Sequence, residues 1–264
     1  MHEFKNNHID LNDKTILITG ASSGIGKAVV QRFAADDAKV TAIARREDKL
    51  LELKQNYPNN IHTITADVRD RERLVDGISK IPHSFGPTEV LVNNAGLGRG
   101  GDSLHDGNPD DWDEMIDTNI RGAMNLIYAV LPGMVSLNRG QIINMGSIAS
   151  NYAYPTSNVY GATKAFLRRL SLNMRTDLAG TKIRITNVEP GVVATDFTAT
   201  RLRGDVTTAK SLYNSFKPLD PEDIARVVHF IVSTPQHVNI DTIEVMPTEQ
   251  TAAGFTLGSD TYVG

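Results

Sequence analysis

The chain contains no cysteine, a single tryptophan, and aromatic residues at only 6% of its 264 positions. Without cysteine there are no disulfides, no thiolate zinc site and no cysteine nucleophile. Positive charge is not in excess either: 27 Lys and Arg stand against 31 Asp and Glu, a net charge of −4. That balance argues against a dedicated nucleic-acid binder, because phosphate recognition calls for clustered cations. No run of about 18 apolar residues occurs, so no membrane-spanning helix is expected. The opening MHEFKNNHID is polar and lacks the apolar stretch of a secretory signal, which sets the expectation of a cytoplasmic protein. None of the seven histidines (His2, His8, His62, His83, His105, His229, His237) stands at a metal-ligand spacing, and no metal is expected. Repeats, low-complexity tracts and linkers are absent too, so the expected organisation is one domain over residues 1–264.

What is present is an alternation of two kinds of segment. Thr15 to Thr19, Val40 to Ile43, Ile61 to Thr65, Glu89 to Val92, Gln141 to Ile143 and Ile183 to Thr186 are short, apolar and rich in β-branched residues, as in strands of a parallel sheet buried on both faces. Between them lie stretches of helical length: Gly26 to Ala35, Glu47 to about Tyr57 with Leu50, Leu51 and Leu53 as its apolar stripe, then 70–80, 110–135, 157–179 and 221–233. Pro109 and Pro221, each followed by acidic residues, mark helix starts. The pattern predicts a doubly wound α/β fold with helices on both faces. The least regular stretch, about 196–220, reads either as a flap over a site or as a plain surface loop. Trp112, on the helix at 110–135, reads as a packing or interface residue.

The first predicted strand runs into Gly20-Ala21-Ser22-Ser23-Gly24-Ile25-Gly26, with a helix after it. Glycines at such a junction allow a sharp turn and close approach to a pyrophosphate, and the helix N-terminus offers oriented N–H groups. At the end of the second strand, where a carboxylate would hold the adenosine ribose hydroxyls, the chain has Ala44-Arg45-Arg46. Two guanidiniums there suit a 2′-phosphate through charge-assisted hydrogen bonds, so NADP(H) is expected over NAD(H). The alternative is two exposed charges opening a helix, an arrangement that the helix dipole disfavours.

Tyr160 and Lys164 stand four residues apart and share a face of the predicted helix. A phenol with a pKa of about 10 is a poor acid–base group at neutral pH. A neighbouring ammonium lowers it, and a shift of about three units corresponds to about 4 kcal/mol. Ser147 follows the fifth predicted strand at its carboxyl end, where open α/β sheets bind ligands, and its hydroxyl can polarise a carbonyl. Asn93-Asn94-Ala95-Gly96 ends the fourth strand in the same way. Asn119 lies within a predicted helix that better helix formers would favour. Taken singly, these read equally as a cap, a turn and a solvated face.

Taken together, Thr19-Gly20-x-x-x-Gly24-x-Gly26, Asn93-Asn94-Ala95-Gly96, Asn119, Ser147, Tyr160-x-x-x-Lys164 and Pro190-Gly191 resemble the short-chain dehydrogenase/reductase family, in order and spacing, from about residue 14 to 195. The resemblance implies a Rossmann-type sheet of seven mainly parallel strands. It also implies a tetrad of Asn119, Ser147, Tyr160 and Lys164: tyrosine as acid/base, serine orienting the substrate oxygen, lysine binding the nicotinamide ribose and lowering the tyrosine pKa, asparagine holding a relay water. By the same resemblance Asp67 and Val68 flank the adenine, and Asn94, Ala95 and Gly96 line the ribose and pyrophosphate channel. Pro190, Gly191, Val193 and Thr195 hold the nicotinamide end. The family's habit implies a homotetramer built through the helices at 110–135 and 157–179.

Longer stretches, among them Met115-Ile116-Asp117-Thr118-Asn119, Ala129 to Met134, Asn158 to Phe166 and His237 to Ile240, resemble the branch of NADP-dependent 3-hydroxy acid dehydrogenases. That branch oxidises serine and allo-threonine and reduces malonic semialdehyde. A 3-hydroxy acid calls for a cation at its carboxylate, with Arg201 as first candidate and Arg99 and Arg203 behind it. Tyr154 and Thr156 are expected at the pocket because they shortly precede Tyr160. Two other readings stay open: a carbonyl or diketone reductase for uncharged substrates, and an NADPH-sensing binding protein without turnover.

Overall fold

The computed structural model describes residues 11–12, 14–201 and 216–251. Its centre is one seven-stranded sheet in which every pairing is parallel, in the order β3-β2-β1-β4-β5-β6-β7. The strands are β1 Thr15–Thr19, β2 Lys39–Ala44, β3 Ile61–Thr65, β4 Val90–Asn93, β5 Gly140–Met145, β6 Ile183–Pro190 and β7 Thr242–Val245. The helices are α1 Gly24–Ala35, α2 Glu47–Asn56, α3 Arg71–Ser79, α4 Pro109–Ile116, α5 Ala123–Ser136, α6 Asn158–Asp177, α7 Phe197–Arg201 and α8 Pro221–Val232.

Side chains alternate across a strand, and β1 shows the consequence. Ile16 and Ile18 pack with Val29, Val30 and Phe33 of α1, Leu50 and Leu53 of α2, and Ile224, Val228 and Ile231 of α8. Leu17 turns to the other face, with Leu74 of α3, Leu126, Val130 and Met134 of α5, and Met174 of α6. Strand order reverses between β1 and β4, which opens a crevice at their carboxyl ends, the place where α/β sheets bind ligands.

One local expectation is corrected, one is refined and one is met. Leu51 does not share the stripe of α2: Leu50 and Leu53 are buried, but Leu51 is 47% exposed, because its position turns away from the face those two share. The helix expected over 110–135 runs unbroken from Pro109 to Ser136, but it is not α-helical throughout, since Asp117–Gly122 forms a π-helical turn between α4 and α5. At that turn the chain passes so close to Val68 that a Cβ on Gly122 would stand 2.6 Å from its Cγ2. The seventh strand, implied by family resemblance only, is β7, a four-residue edge strand half-exposed along its length and so without a buried apolar run.

Both acidic helix starts form. Pro109 opens α4 behind Asn108, whose side chain accepts from the Asp110 N–H at 3.0 Å. Pro221 opens α8, and the Asp223 carboxylate accepts from the Asp220 N–H at 2.9 Å. At the far end of α8 the buried Arg184 donates to the carbonyls of Val232 (3.2 Å) and Thr234 (3.1 Å), to the Thr234 hydroxyl, and to Gln141 Oε1 (2.6 Å). A cation at a helix C-terminus complements the carbonyl dipoles, although burial pulls the Arg184 pKa down. Among the described residues no helix is long and apolar enough to cross a membrane, and no group of three or more His, Asp or Glu is placed to hold a metal ion.

Candidate active site

The crevice is a cavity of about 500 Å³. Its floor is the β1–α1 loop, where Gly20 has φ +67° and Gly24 φ +51°. Gly26 lies beneath that loop rather than at the cavity wall, and a Cβ there would fall 2.3 Å from the Gly20 carbonyl oxygen. Only glycine permits that approach. Ser22, Ser23 and Ile25 line the cavity with Gly20 and Gly24. Ser23 is the N-cap residue of α1, yet its side chain does not cap the helix. Its hydroxyl, like that of Ser22, accepts instead from the Arg46 guanidinium, at 2.6 and 2.9 Å.

Arg45 is 64% exposed at the cavity edge, with Nη1 4.0 Å from Asp67. Asp67 is itself gripped by Arg69 through two contacts of 3.0 and 2.7 Å, and that hydrogen-bonded guanidinium holds its carboxyl below the usual range. Val68, Ala95 and Gly96 line the same end of the cavity. Thr19 ties β1 to β4 across the switch point: its hydroxyl accepts from the N–H groups of Asn94 (3.0 Å) and Ala95 (2.9 Å), while Asn94 Nδ2 donates to the Thr19 carbonyl. Pro190, the last residue of β6, and Gly191, Val193 and Thr195 after it also line the cavity.

The expected tetrad comes together, with two departures. Tyr160 is buried and hydrogen-bonded to Ser147, which caps the short turn after β5 by accepting from the Ala149 N–H. Burial pushes the Tyr160 phenol well up and nearby Tyr154 adds to this, while the Ser147 bond and the Arg201 charge pull it down. Lys164 makes no hydrogen bond to the phenol. Lys164 Nζ lies 5.8 Å from the centre of the phenol ring and donates to the Met145 carbonyl at 2.8 Å. Burial lowers Lys164 itself to about 8.

Asn119 is neither solvated nor at the cavity wall. It is buried in the π turn, accepts from the Leu97 N–H at 2.8 Å, and donates to the Leu97 carbonyl (2.8 Å) and the Thr163 hydroxyl (3.0 Å). It therefore fastens the β4 loop to α6, one residue before Lys164. Helical π turns recur at functional positions because the extra residue re-aims a side chain.

The arginine candidates separate. Arg201 lies over the Tyr160 ring, its guanidinium carbon 5.9 Å from the ring centre, and bonds to the Thr156 carbonyl at 2.6 Å and to the Tyr154 side chain. Thr156 has φ +68°, a strained setting for a β-branched residue. Arg99 also reaches the wall, but Glu114 grips its guanidinium at 2.6 and 3.2 Å. That bond holds the Glu114 carboxyl below its ordinary range. Arg203 and most of the expected flap lie outside the described residues. Phe197, which the sequence reading passed over, tilts against Tyr160 at 5.5 Å between ring centres; a lone phenylalanine in a polar stretch was its only signal.

A doubly wound parallel sheet with a glycine cradle at its first turn and a Ser–Tyr pair at the crevice defines a dinucleotide-dependent oxidoreductase. The short chain dehydrogenase family model matches residues 14–205, and the chain belongs to that family. It is 44% identical over 243 residues to the NADP-dependent 3-hydroxy acid dehydrogenase YdfG of Salmonella typhi, covering 92% of this chain and 98% of that one. It is 41% identical over 248 residues to sulfoacetaldehyde reductase 2 of Chromohalobacter salexigens, covering 93% and 98%. Among solved structures, the closed form of serine dehydrogenase complexed with NADP+ is similar at a TM-score of 0.89 with 43% identity, over 92% of this chain and 98% of that one.

Proposed function

We propose that the chain is an NADP-dependent dehydrogenase of small 3-hydroxy acids: a 3-hydroxy acid and NADP+ give the 3-oxo acid, NADPH and a proton, reversibly. The observation that carries this is Arg201, a guanidinium above the Tyr160 ring inside the cavity. The relatives support it chemically. A 3-hydroxy acid has its carboxylate one carbon removed from the reacting carbon, and sulfoacetaldehyde has its sulfonate at the same remove. A fixed cation beside the acid–base group suits both.

The cavity suits NADP(H). The glycine loop leaves room for a pyrophosphate at the uncapped start of α1, no carboxylate stands at the end of β2, and Arg45 and Arg46, which line the cavity there, would hold a 2′-phosphate. Asp67 and Val68 would flank the adenine, Asn94, Ala95 and Gly96 the channel, and Pro190, Gly191, Val193 and Thr195 the nicotinamide end, with Lys164 on its ribose. A bound nicotinamide supplies the hydride chemistry. Ser147 donates to the substrate oxygen and stabilises charge on it. Tyr160 takes the hydroxyl proton in oxidation and returns it in reduction. Arg201 fixes the carboxylate, and Asn119 holds the Leu97 backbone and Thr163, and through them the wall beside Lys164.

The reading includes a cytoplasmic homotetramer. Met124, Tyr128 and Val135 stand exposed on one side of α5 at spacings of four and seven, an apolar face of the kind that subunits bury. Sedimentation velocity tests this.

NADPH formation is to be followed with L-serine, L-allo-threonine, 3-hydroxypropionate, 3-hydroxyisobutyrate and neutral secondary alcohols. Activity on the acids, with KM raised roughly 10- to 100-fold in Arg201→Ala, is expected from loss of a charge-assisted hydrogen bond. Silence on every acid together with reduction of neutral ketones would replace this reading by a carbonyl reductase.

A further inference from the structure

Helix α7 is five residues long, too short to hold its place without tertiary contacts. Its N-terminal Phe197 and the sole tryptophan, Trp112 of α4, pack against one cluster of Leu97, Met115, Ala149 and Tyr160. Its C-terminal carbonyls would be orphans, as in any helix, but the loop after β4 meets them. Arg99 Nη1 donates to the Thr200 carbonyl at 2.9 Å, and the Gly100 N–H donates to the Arg201 carbonyl at 3.2 Å. In return Arg201 Nε donates to the Gly100 carbonyl at 3.1 Å. Arg99 is aimed at Thr200 because Glu114, two residues beyond Trp112 on α4, holds Nε and Nη2 of the same guanidinium from the other side. The pair is mostly buried, with side chains 23% and 26% exposed, and Glu114 lies outside the cavity wall.

We infer that the Glu114–Arg99 pair is a latch that seats α7 and so positions Arg201 over Tyr160. Arg99 and Glu114 are positioning residues, and they set the affinity for the anionic substrate through Arg201. The consequence for affinity rests on the proposed role of Arg201; the latch itself does not. A competing account makes Arg99 the carboxylate clamp, held off by Glu114, and the two accounts predict opposite signs. Removing the charge of Glu114 loosens a latch and weakens substrate binding, but frees a clamp and tightens it.

The test compares the full-length wild type with Glu114→Gln, Arg99→Met and Arg99→Lys. Acrylamide quenching of Trp112 fluorescence in the free protein reads the seating of α7, and steady-state kinetics with L-serine and NADP+ read its effect. The melting transition by circular dichroism serves as the folding control. Glu114→Gln is nearly isosteric, so it keeps the test valid if Arg99→Met does not fold. The expected result is a quenching constant raised about 2-fold in Glu114→Gln and Arg99→Met. L-serine KM rises about 10-fold, kcat and the NADP+ KM stay within about 2-fold, and Arg99→Lys recovers part of the loss. Unchanged quenching overturns the latch, whatever the kinetics. A lower L-serine KM in Glu114→Gln overturns it in favour of the clamp. Raised quenching with an L-serine KM that Arg201→Ala moves and Glu114→Gln does not also overturns it, because α7 would then not position Arg201. If quenching rises and neither Glu114→Gln nor Arg201→Ala moves that KM, the latch stands and the anion-clamp reading of Arg201 fails.

Discussion

Lys164 and Tyr160 lie one turn apart on α6, and the ammonium donates to the Met145 carbonyl at 2.8 Å while standing 5.8 Å from the phenol ring centre. The phenol answers to burial, Tyr154, Ser147 and Arg201, and the ammonium to burial alone. Each is held in the neutral direction by the same dry wall.

Lys164 is lowered from 10.5 to about 8 in the folded protein. Between those values the unfolded chain binds more protons than the folded one, so stability rises with pH across that window. Below it the buried charge imposes its full penalty, roughly 3 kcal/mol. Lys164→Met removes the penalty and also the ammonium's bond to Met145, worth about 1.5–2 kcal/mol. The variant is expected to be inactive yet more stable than wild type by about 1–2 kcal/mol at pH 7, with the gain vanishing by pH 10.5. Urea unfolding at both pH values checks this.

Tyr160→Phe keeps the ring that packs on Phe197 and removes the proton donor. Turnover is expected to fall by roughly 10³-fold or more, with NADPH affinity, read by fluorescence titration, within about 2-fold of wild type. Retained turnover would remove Tyr160 from the proposed chemistry.

Arg45 is exposed at the cavity edge, whereas Arg46 is tied to Ser22 and Ser23. Arg45→Ala is expected to raise the NADP+ KM roughly 10-fold and leave the NAD+ KM unchanged, because only NADP+ carries a 2′-phosphate. Arg46→Ala also frees the glycine loop, so it is expected to affect both cofactors. Initial rates with each cofactor decide, and an equal effect of Arg45→Ala on both would contradict phosphate recognition by that residue.

Arg184→Leu leaves the last carbonyls of α8 and the Gln141 side chain without their donor in a dry setting. A loss of about 3 kcal/mol in urea unfolding is expected, with kcat per folded molecule unchanged, since the residue lies far from the cavity. A variant as stable as wild type would show that its bonds are replaceable.

Much of this architecture was readable along the chain. Six of the seven strands declared themselves as short β-branched runs, because a parallel sheet buried on both faces tolerates little else. The glycine loop and the Tyr160–Lys164 spacing were readable for the same reason: turn geometry and helical period act over a few residues. β7 escaped because a half-exposed edge strand carries no apolar run. The π turn at Asp117–Gly122 escaped because its cause is distant, the close passage of Gly122 against Val68.

The kinds of element, their order and the chemical types available at each strand end depend on near neighbours in the chain, and the linear pattern carries them. Which groups meet, and in what state, follows from the packing of elements distant in the chain. Arg99 and Arg201 are both arginines in polar stretches, yet Glu114 grips one while the other lies over Tyr160. Lys164 was placed correctly beside Tyr160 along the helix, but the direction of its ammonium depends on the Met145 carbonyl, nineteen residues away in the chain. Its protonation depends on how completely the sheet and α6 exclude water. Burial and electrostatic pairing are sums over neighbours in space, and no local pattern in the chain encodes them.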